Sequence, residues 1–254
     1  PATPSHPRFR RGNVSLGPRV ADAAQRVARE YGTPLFLTDA ARLAQSAEGI
    51  ERAFPDPWLR SYSLKADPDP SIVRRLTARG WGANCVSLGE IEAARAAGVA
   101  AGAITLEGIG KGGAELDAAI AASASGAPLR WVAIESLDEA RDLARRAAVV
   151  IDDQHPLRVL LRLNPGVEPG THAGLAVGRS SSKFGMDRSE FAAAAEALRG
   201  IAGVRIVGVH LHAGSQLRDL EAWGASIAAA LDAFAGLAAS DSLDSTALQR
   251  DGTL

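Results

Sequence analysis

Residues 82–98, GANCVSLGEIEAARAAG, hold a complete strand–turn–helix unit. The short run GANCVS reads as a strand, and LGEIEAARAAG as the helix that follows. Ser87 and Glu90 form a capping box, in which the serine side chain accepts from the third helical N–H and the glutamate reaches back. Gly98 sits where a helix ends in a left-handed residue. The strand is short and unalternating, which is how a strand buried on both faces of a parallel sheet reads.

The same unit recurs along the chain. PLFLTD leads to AARLAQSAEGIERAF, WLRSYSLKA to PSIVRRLTARG, AITLEG to GAELDAAIAASASG, and RWVAIES to LDEARDLARRAA. LRVLLRLNPG leads through a Gly-rich loop to RSEFAAAAEALRG, and VRIVGVHLHAGS to a long Ala-rich helix. Ser136 and Glu139 repeat the capping box, Asp69 caps a helix with Pro70 at its first position, and Gly80, Gly126 and Gly200 close others. Seven strand-like runs with crossover helices predict a parallel α/β fold, barrel or open sheet. Two stretches break the alternation. Residues 165–186 form a long Gly/Ser/Pro loop of the functional or disordered kind. The tail SDSLDSTALQRDGTL carries no strand pattern.

Composition excludes several classes. The 254 residues are 46% hydrophobic and 22% charged with a formal net charge of −1, so no strong field gathers nucleic acid or anionic membrane. The apolar runs are broken by charge, and no membrane span is credible. The first residues lack the apolar core of a secretory signal. Cys85 is the single cysteine, which rules out an internal disulfide and suits a reducing cytoplasm.

In a parallel barrel the active site lies at the carboxyl ends of the strands. Those ends carry Lys65, Asn84 with Ser87, Glu107, Glu135, Arg162, and His210 with His212 leading into Gly214-Ser215-Gln216. Lys65 ends an apolar run and precedes a rigid Asp-Pro-Asp-Pro turn. The bland reading is a surface lysine whose stem packs and whose charge stays wet. The sharper one is an amine held among apolar walls, freed as a nucleophile that condenses with aldehydes, of which pyridoxal phosphate is the common biological one. His210 and His212 share a strand face. They suit a core histidine, a metal pair, for which no third ligand follows at suitable spacing, or a ring stacked on a flat cofactor. Gly214 and Ser215 directly after would bring an N–H and a hydroxyl to a phosphate at a helix start.

Taken together, SYSLKADP, GANCVSLGEIEAARAAG, RLNPGVEPGTHAGLAVGRSSSKFGMD and GVHLHAGSQ closely resemble the N-terminal part of the diaminopimelate decarboxylase-like, pyridoxal-phosphate-dependent Orn/DAP/Arg decarboxylases, of alanine-racemase-like fold. The likeness runs from about Asn13 to about Ser240. It implies a (β/α) barrel in which Lys65 is the Schiff-base lysine, His212 stacks on the pyridine ring and Ser215, with Gly214, binds the phosphate. Arg162 and Asn84 would lie close to the cofactor, and no metal is implied. It implies decarboxylation of an amino acid, most like meso-diaminopimelate to lysine, by a cytoplasmic homodimer. Ornithine-, arginine- or carboxynorspermidine-type substrates, or a non-catalytic pyridoxal-phosphate-binding remnant, are the alternatives.

Departures from the family pattern are also legible. The family usually has Asn where Asp67 stands and Asp where Asn84 stands. Its triple-glycine phosphate loop, its Glu-Pro-Gly-Arg string and its C-terminal β-domain do not occur in these 254 residues. The expected organisation is therefore an N-terminal segment (1–30), a partial barrel of about six of eight strands (31–240) and an irregular tail (241–254). Such a truncated chain is expected by itself to bind pyridoxal phosphate weakly and to turn over little.

Overall fold

A computed structural model describes residues 17–148, 154–167, 184–214, 220–240 and 242–243. The chain divides into two compact units, Pro1–Ala53 and Phe54–Leu254.

The first unit contributes two helices, α1 (Pro18–Tyr31) and α2 (Ala40–Ala53). Pro18 opens α1 where its missing N–H costs nothing. Asp39 caps α2, its Oδ1 accepting from the N–H groups of Ala41 (2.9 Å) and Arg42 (3.1 Å). The run PLFLTD between the helices is not a strand, and Phe36 is fully exposed. Apolar character makes a strand only when a neighbouring backbone takes up its ladder bonds.

The second unit is a sheet covered by helices. Among the described residues its strands and α-helices alternate, with one 3₁₀ turn at Ala101–Ala103 before β3: β1 (Ser61–Ser63), α3 (Pro70–Thr77), β2 (Gly82–Cys85), α4 (Leu88–Ala96), β3 (Ile104–Leu106), α5 (Gly113–Ala124), β4 (Trp131–Ile134), α6 (Leu137–Ala147), β5 (Leu157–Arg162), α7 (Arg188–Leu198), β6 (Val204–His210) and α8 (Leu220–Ala239). All five pairings are parallel and the strand order is sequential, β1 to β6. A doubly wound sheet reverses its strand order at a switch point, whereas a barrel adds each strand beside the last. The sequential order therefore selects the barrel type. Among the described residues β1 and β6 each have one neighbour, so six strands form an arc.

The local signals act as their chemistry requires. Ser87 and Ser136 accept from Glu90 and Glu139 N–H, at 3.3 and 3.2 Å. Asp69 Oδ1 accepts from Ser71 N–H at 2.7 Å. Gly80, Gly98, Gly126 and Gly200 all have positive φ. The core fills the arc and its helix layer: Ile104, Leu106, Val132, Ile134, Val159 and Leu161 are completely buried. Each such side chain stabilises by about 1.5–3 kcal/mol relative to exposure.

Helix α8 departs from the sequence reading. Among the described helices it is long and apolar enough, by length and composition, to cross a membrane. It instead packs on β6, burying Ala222, Ser226, Ala233 and Leu237, and Asp232 pairs with Arg188 of α7 at 2.6 Å. Much of its apolar surface, including Leu220, Trp223 and Leu231, stays exposed.

Candidate active site

The carboxyl ends of the parallel strands share one rim, and the predicted residues gather there. A bulge between β5 and β6 sets the register. Val159 pairs with Ile206 but Leu160 pairs with Gly208, so the extra residue Val207 brings His210 opposite Arg162. Gly208 permits this because a Cβ there would lie 3.1 Å from Leu160 Cδ2.

Arg162 is buried, and its Nη1 donates to Glu135 Oε1 (2.9 Å) and Oε2 (2.6 Å), itself buried at the end of β4. Its guanidinium lies 5.2 Å from the centroid of the Phe184 ring. Here the long loop returns. Met186 N–H donates to the Arg162 carbonyl at 2.9 Å, and Asn164 N–H to the Met186 carbonyl at 2.8 Å. Gly185 lies so close that a Cβ would come within 3.0 Å of Asn164 N and 3.2 Å of Arg162 Cγ, and its φ is +72°. The Phe-Gly pair therefore covers and fits the arginine. Residues 168–183 lie outside the described residues.

Beside it, the side chain of Lys111 is buried in the loop after β3. Its ammonium donates to the Gly108 carbonyl (2.6 Å) and pairs with Glu139 Oε1 (3.0 Å). Glu139 Oε2 accepts from Glu135 N–H, and Glu135 Oε1 from Gly108 N–H, both at 2.9 Å. Burial pushes the Glu139 carboxyl up, and Lys111 pulls it back. The two cations and two carboxylates hold the ends of β3, β4 and β5 together. A cavity of about 400 Å³ opens next to them, lined by Lys111, Glu135, Ser136 and Glu139 among others.

The histidines come next. His210 Nε2 stands 3.4 Å from Glu107 Oε2, and its buried Nδ1 has no partner among the described residues. Burial and the neighbouring Arg162 cation push the imidazole down to about 4, so the ring is neutral near pH 7. His212, half-buried, is also lowered, by burial first, then by Arg162 and Lys65.

Lys65 itself is exposed, not enclosed by apolar walls as expected. It follows β1, an edge strand whose outer flank has no strand neighbour among the described residues. Its turn is well made: Asp67 Oδ1 accepts from Asp69 N–H (3.1 Å), and the Asp67 carbonyl accepts from Tyr62 Oη (3.1 Å). An asparagine at 67 could accept the same bond. Asn84 bridges three strands, accepting from Ser63 Oγ (3.2 Å) and donating to Thr105 Oγ1 (3.1 Å). Gly214 has φ +120°. Ser215 lies outside the described residues.

The sequence reading thus found Lys65, Asn84, Glu107, Glu135, Arg162, His210 and His212 on one rim. It missed Lys111, Glu139 as an ion-pair partner, Thr105 and Phe184. Lys111 had a signal, a lysine in a glycine-rich loop just past a strand end. Glu139 was hidden by its capping role. The donor set fits a flat, anionic aldehyde: a reachable amine, a neutral half-buried imidazole and a fixed guanidinium stand on the same rim.

A singly wound parallel α/β arc carrying Lys65 and His212 on its strand-end rim suits a pyridoxal-binding barrel. The chain belongs to the family "Pyridoxal-dependent decarboxylase, pyridoxal binding domain", whose model matches residues 40–252. Among its relatives, the diaminopimelate decarboxylase of Deinococcus radiodurans is 34% identical over 214 residues, covering 81% of this chain and 50% of the relative. That of Archaeoglobus fulgidus is 32% identical over 194 residues, covering 76% and 44%. The structure of Helicobacter pylori diaminopimelate decarboxylase complexed with L-lysine superposes with a TM-score of 0.78 at 27% identity, covering 87% of this chain and 54% of that one. The chain spans about half the length of the curated relatives it matches.

Proposed function

We propose that this chain binds pyridoxal phosphate through Lys65 and carries the cofactor half of an amino-acid decarboxylase acting on diaminopimelate or a similar small amino acid. The reading is supported by family membership and by relatives named diaminopimelate decarboxylase. One observation carries it: Lys65, just past β1, and His212, just past β6, both lie at the carboxyl ends of the parallel strands.

In this reading residues 31–240 form the cofactor-binding barrel portion, in a cytoplasmic protein. Lys65 would hold the cofactor by its amine, His212 would present an uncharged ring face, and Gly214 and Ser215 would meet the phosphate. Arg162 and Asn84 would flank the group, each held by protein partners before any ligand arrives. The chemistry supplied by pyridoxal phosphate when bound is an electron sink for breaking the bond to a carboxylate. The protein's share is placement. Burial first, and then the fixed positive charge of Arg162 tied to Glu135, disfavours protonation of both imidazoles.

The test is to add pyridoxal phosphate, reduce with borohydride and map the adduct by peptide mass spectrometry. A reduced adduct at Lys65, absent in Lys65→Ala, is the expected result. No adduct on the wild-type chain overturns the reading. Carbon dioxide release from meso-diaminopimelate by the loaded protein then separates a decarboxylase from a pyridoxal-binding module without turnover.

A further inference from the structure

The chain around Lys65 is tied at three points, and two of the ties are backbone. Leu64 N–H donates to the Asn84 carbonyl at 3.0 Å, which fastens the chain to β2 just before the lysine. Ala66 N–H donates to the Ser63 carbonyl at 3.1 Å and closes a tight turn with Lys65 at its third position. Past Ala66 the chain reads Asp67-Pro68-Asp69-Pro70, and neither proline has an N–H to give. The Asp67 carboxylate binds forward, to Asp69 N–H at 3.1 Å, and does not reach back to the strand.

The third tie is a side chain. Tyr62 Oη donates to the Asp67 carbonyl at 3.1 Å and so spans the turn from the strand to its exit. Tyr62 belongs to β1, is partly buried and packs against the core, whereas Lys65 is exposed. A fixed residue thus straps the segment that carries a free one. β1 has a single strand neighbour among the described residues, β2, so no described strand holds the turn from its other flank. The ring alone would serve the core; the hydroxyl adds the strap. Burial, and then the Asp67 carboxylate, raise the phenol above its ordinary value, so the hydroxyl remains a donor at neutral and mildly alkaline pH.

We propose that Tyr62 is a positioning residue for Lys65, its hydroxyl holding the exit of the turn so that the amine meets an aldehyde on an already ordered segment. The inference rests on the proposed function, in which Lys65 condenses with pyridoxal phosphate. In that step the amine nitrogen bonds to the aldehyde carbon, and the aldehyde oxygen leaves as water. Tyr62 exchanges no atom with either partner. Its part is entropic: a segment ordered beforehand loses less freedom when the bond forms.

The test titrates pyridoxal phosphate into the full chain and into Tyr62→Phe, with borohydride trapping and peptide mapping to give the occupancy of Lys65. The N-terminal amine, which meets the same aldehyde without this turn, is the internal reference. Tyr62→Phe should need about three- to tenfold more pyridoxal phosphate to half-fill Lys65, the worth of one neutral hydrogen bond, with the reference unchanged. The visible circular dichroism of the bound group, taken per mole bound, should fall as well, because a looser turn holds it in more orientations. A shift of less than threefold, or an unchanged dichroism, overturns the inference. So does an equal shift in Asp187→Ala, which would mark general loosening of the fold. That variant removes only the cap of α7, where Asp187 accepts from Ser189 and Glu190 N–H at 2.8 and 2.9 Å. Wild-type protein that forms no adduct at Lys65 overturns the proposed function and this inference with it. A normal wild-type adduct with an indifferent Tyr62→Phe overturns the inference alone.

Discussion

Past β3, β4 and β5 the rim's charges are buried and paired, while at the β1 end Lys65, the proposed nucleophile, stands in solvent. Arg162, Glu135 and Lys111 are almost inaccessible, and each is held by bonds of 2.6–3.0 Å. Lys65 is exposed, and what is fixed there is the turn beneath it. The contrast teaches a division of labour. A buried ion network survives only if every member is matched, so it makes a rigid electrostatic background. A nucleophile must instead be reached and must move as its partner arrives, which an edge position allows.

Four measurements would break or sharpen that contrast. The largest effect is expected at the buried pair. Glu135→Ala strands a buried guanidinium and should destabilise the fold by about 3–5 kcal/mol in urea unfolding. The double variant Glu135→Met/Arg162→Met should recover most of it, and a similar loss in both would mean that the charges themselves are needed.

Next comes pH. The folded His210 ring stays neutral down to about 4, whereas an unfolded histidine takes a proton near 6.5. Between those values the unfolded state binds more protons, so stability rises with pH. The contribution is complete above about 6.5 and is lost as pH falls toward 4, on the order of 3 kcal/mol. His210→Asn should flatten this part of the stability-versus-pH curve, and an unchanged slope would assign it elsewhere.

A smaller change is expected from Ser136→Ala, which removes the cap of α6 just beside Glu135 and Glu139. It should cost about 1 kcal/mol in thermal unfolding. Smallest of all, Lys65→Ala should alter stability by no more than about 0.5 kcal/mol, as for an exposed side chain outside the core. A large loss there would show that Lys65 is structural and erase the contrast.

Much of this was legible beforehand because the signals were local. Capping serines at 87 and 136, the Asp69-Pro70 start and the positive-φ glycines depend on a few neighbouring residues, and they behave as read. The rim was legible for a related reason. In a parallel sheet the residue after each strand lies on the same side, so Lys65, Glu107, Glu135 and Arg162 could be gathered by position alone. PLFLTD misled because a strand needs a partner that no local pattern reveals. Lys111 and Phe184 escaped notice because their roles are contacts across 28 and 22 residues of sequence, to Glu139 and Arg162.

By itself the sequence determined the alternation of strands and helices, the parallel class and the identity of the strand-end residues, since period, caps and breakers act over one turn or one strand. Only the tertiary structure decided that the order is sequential, that a bulge sets His210 against Arg162, that Lys65 is exposed, and that Glu107 faces a neutral ring. Charge balance and burial are sums over neighbours in space, and a chain acquires those neighbours only when it folds.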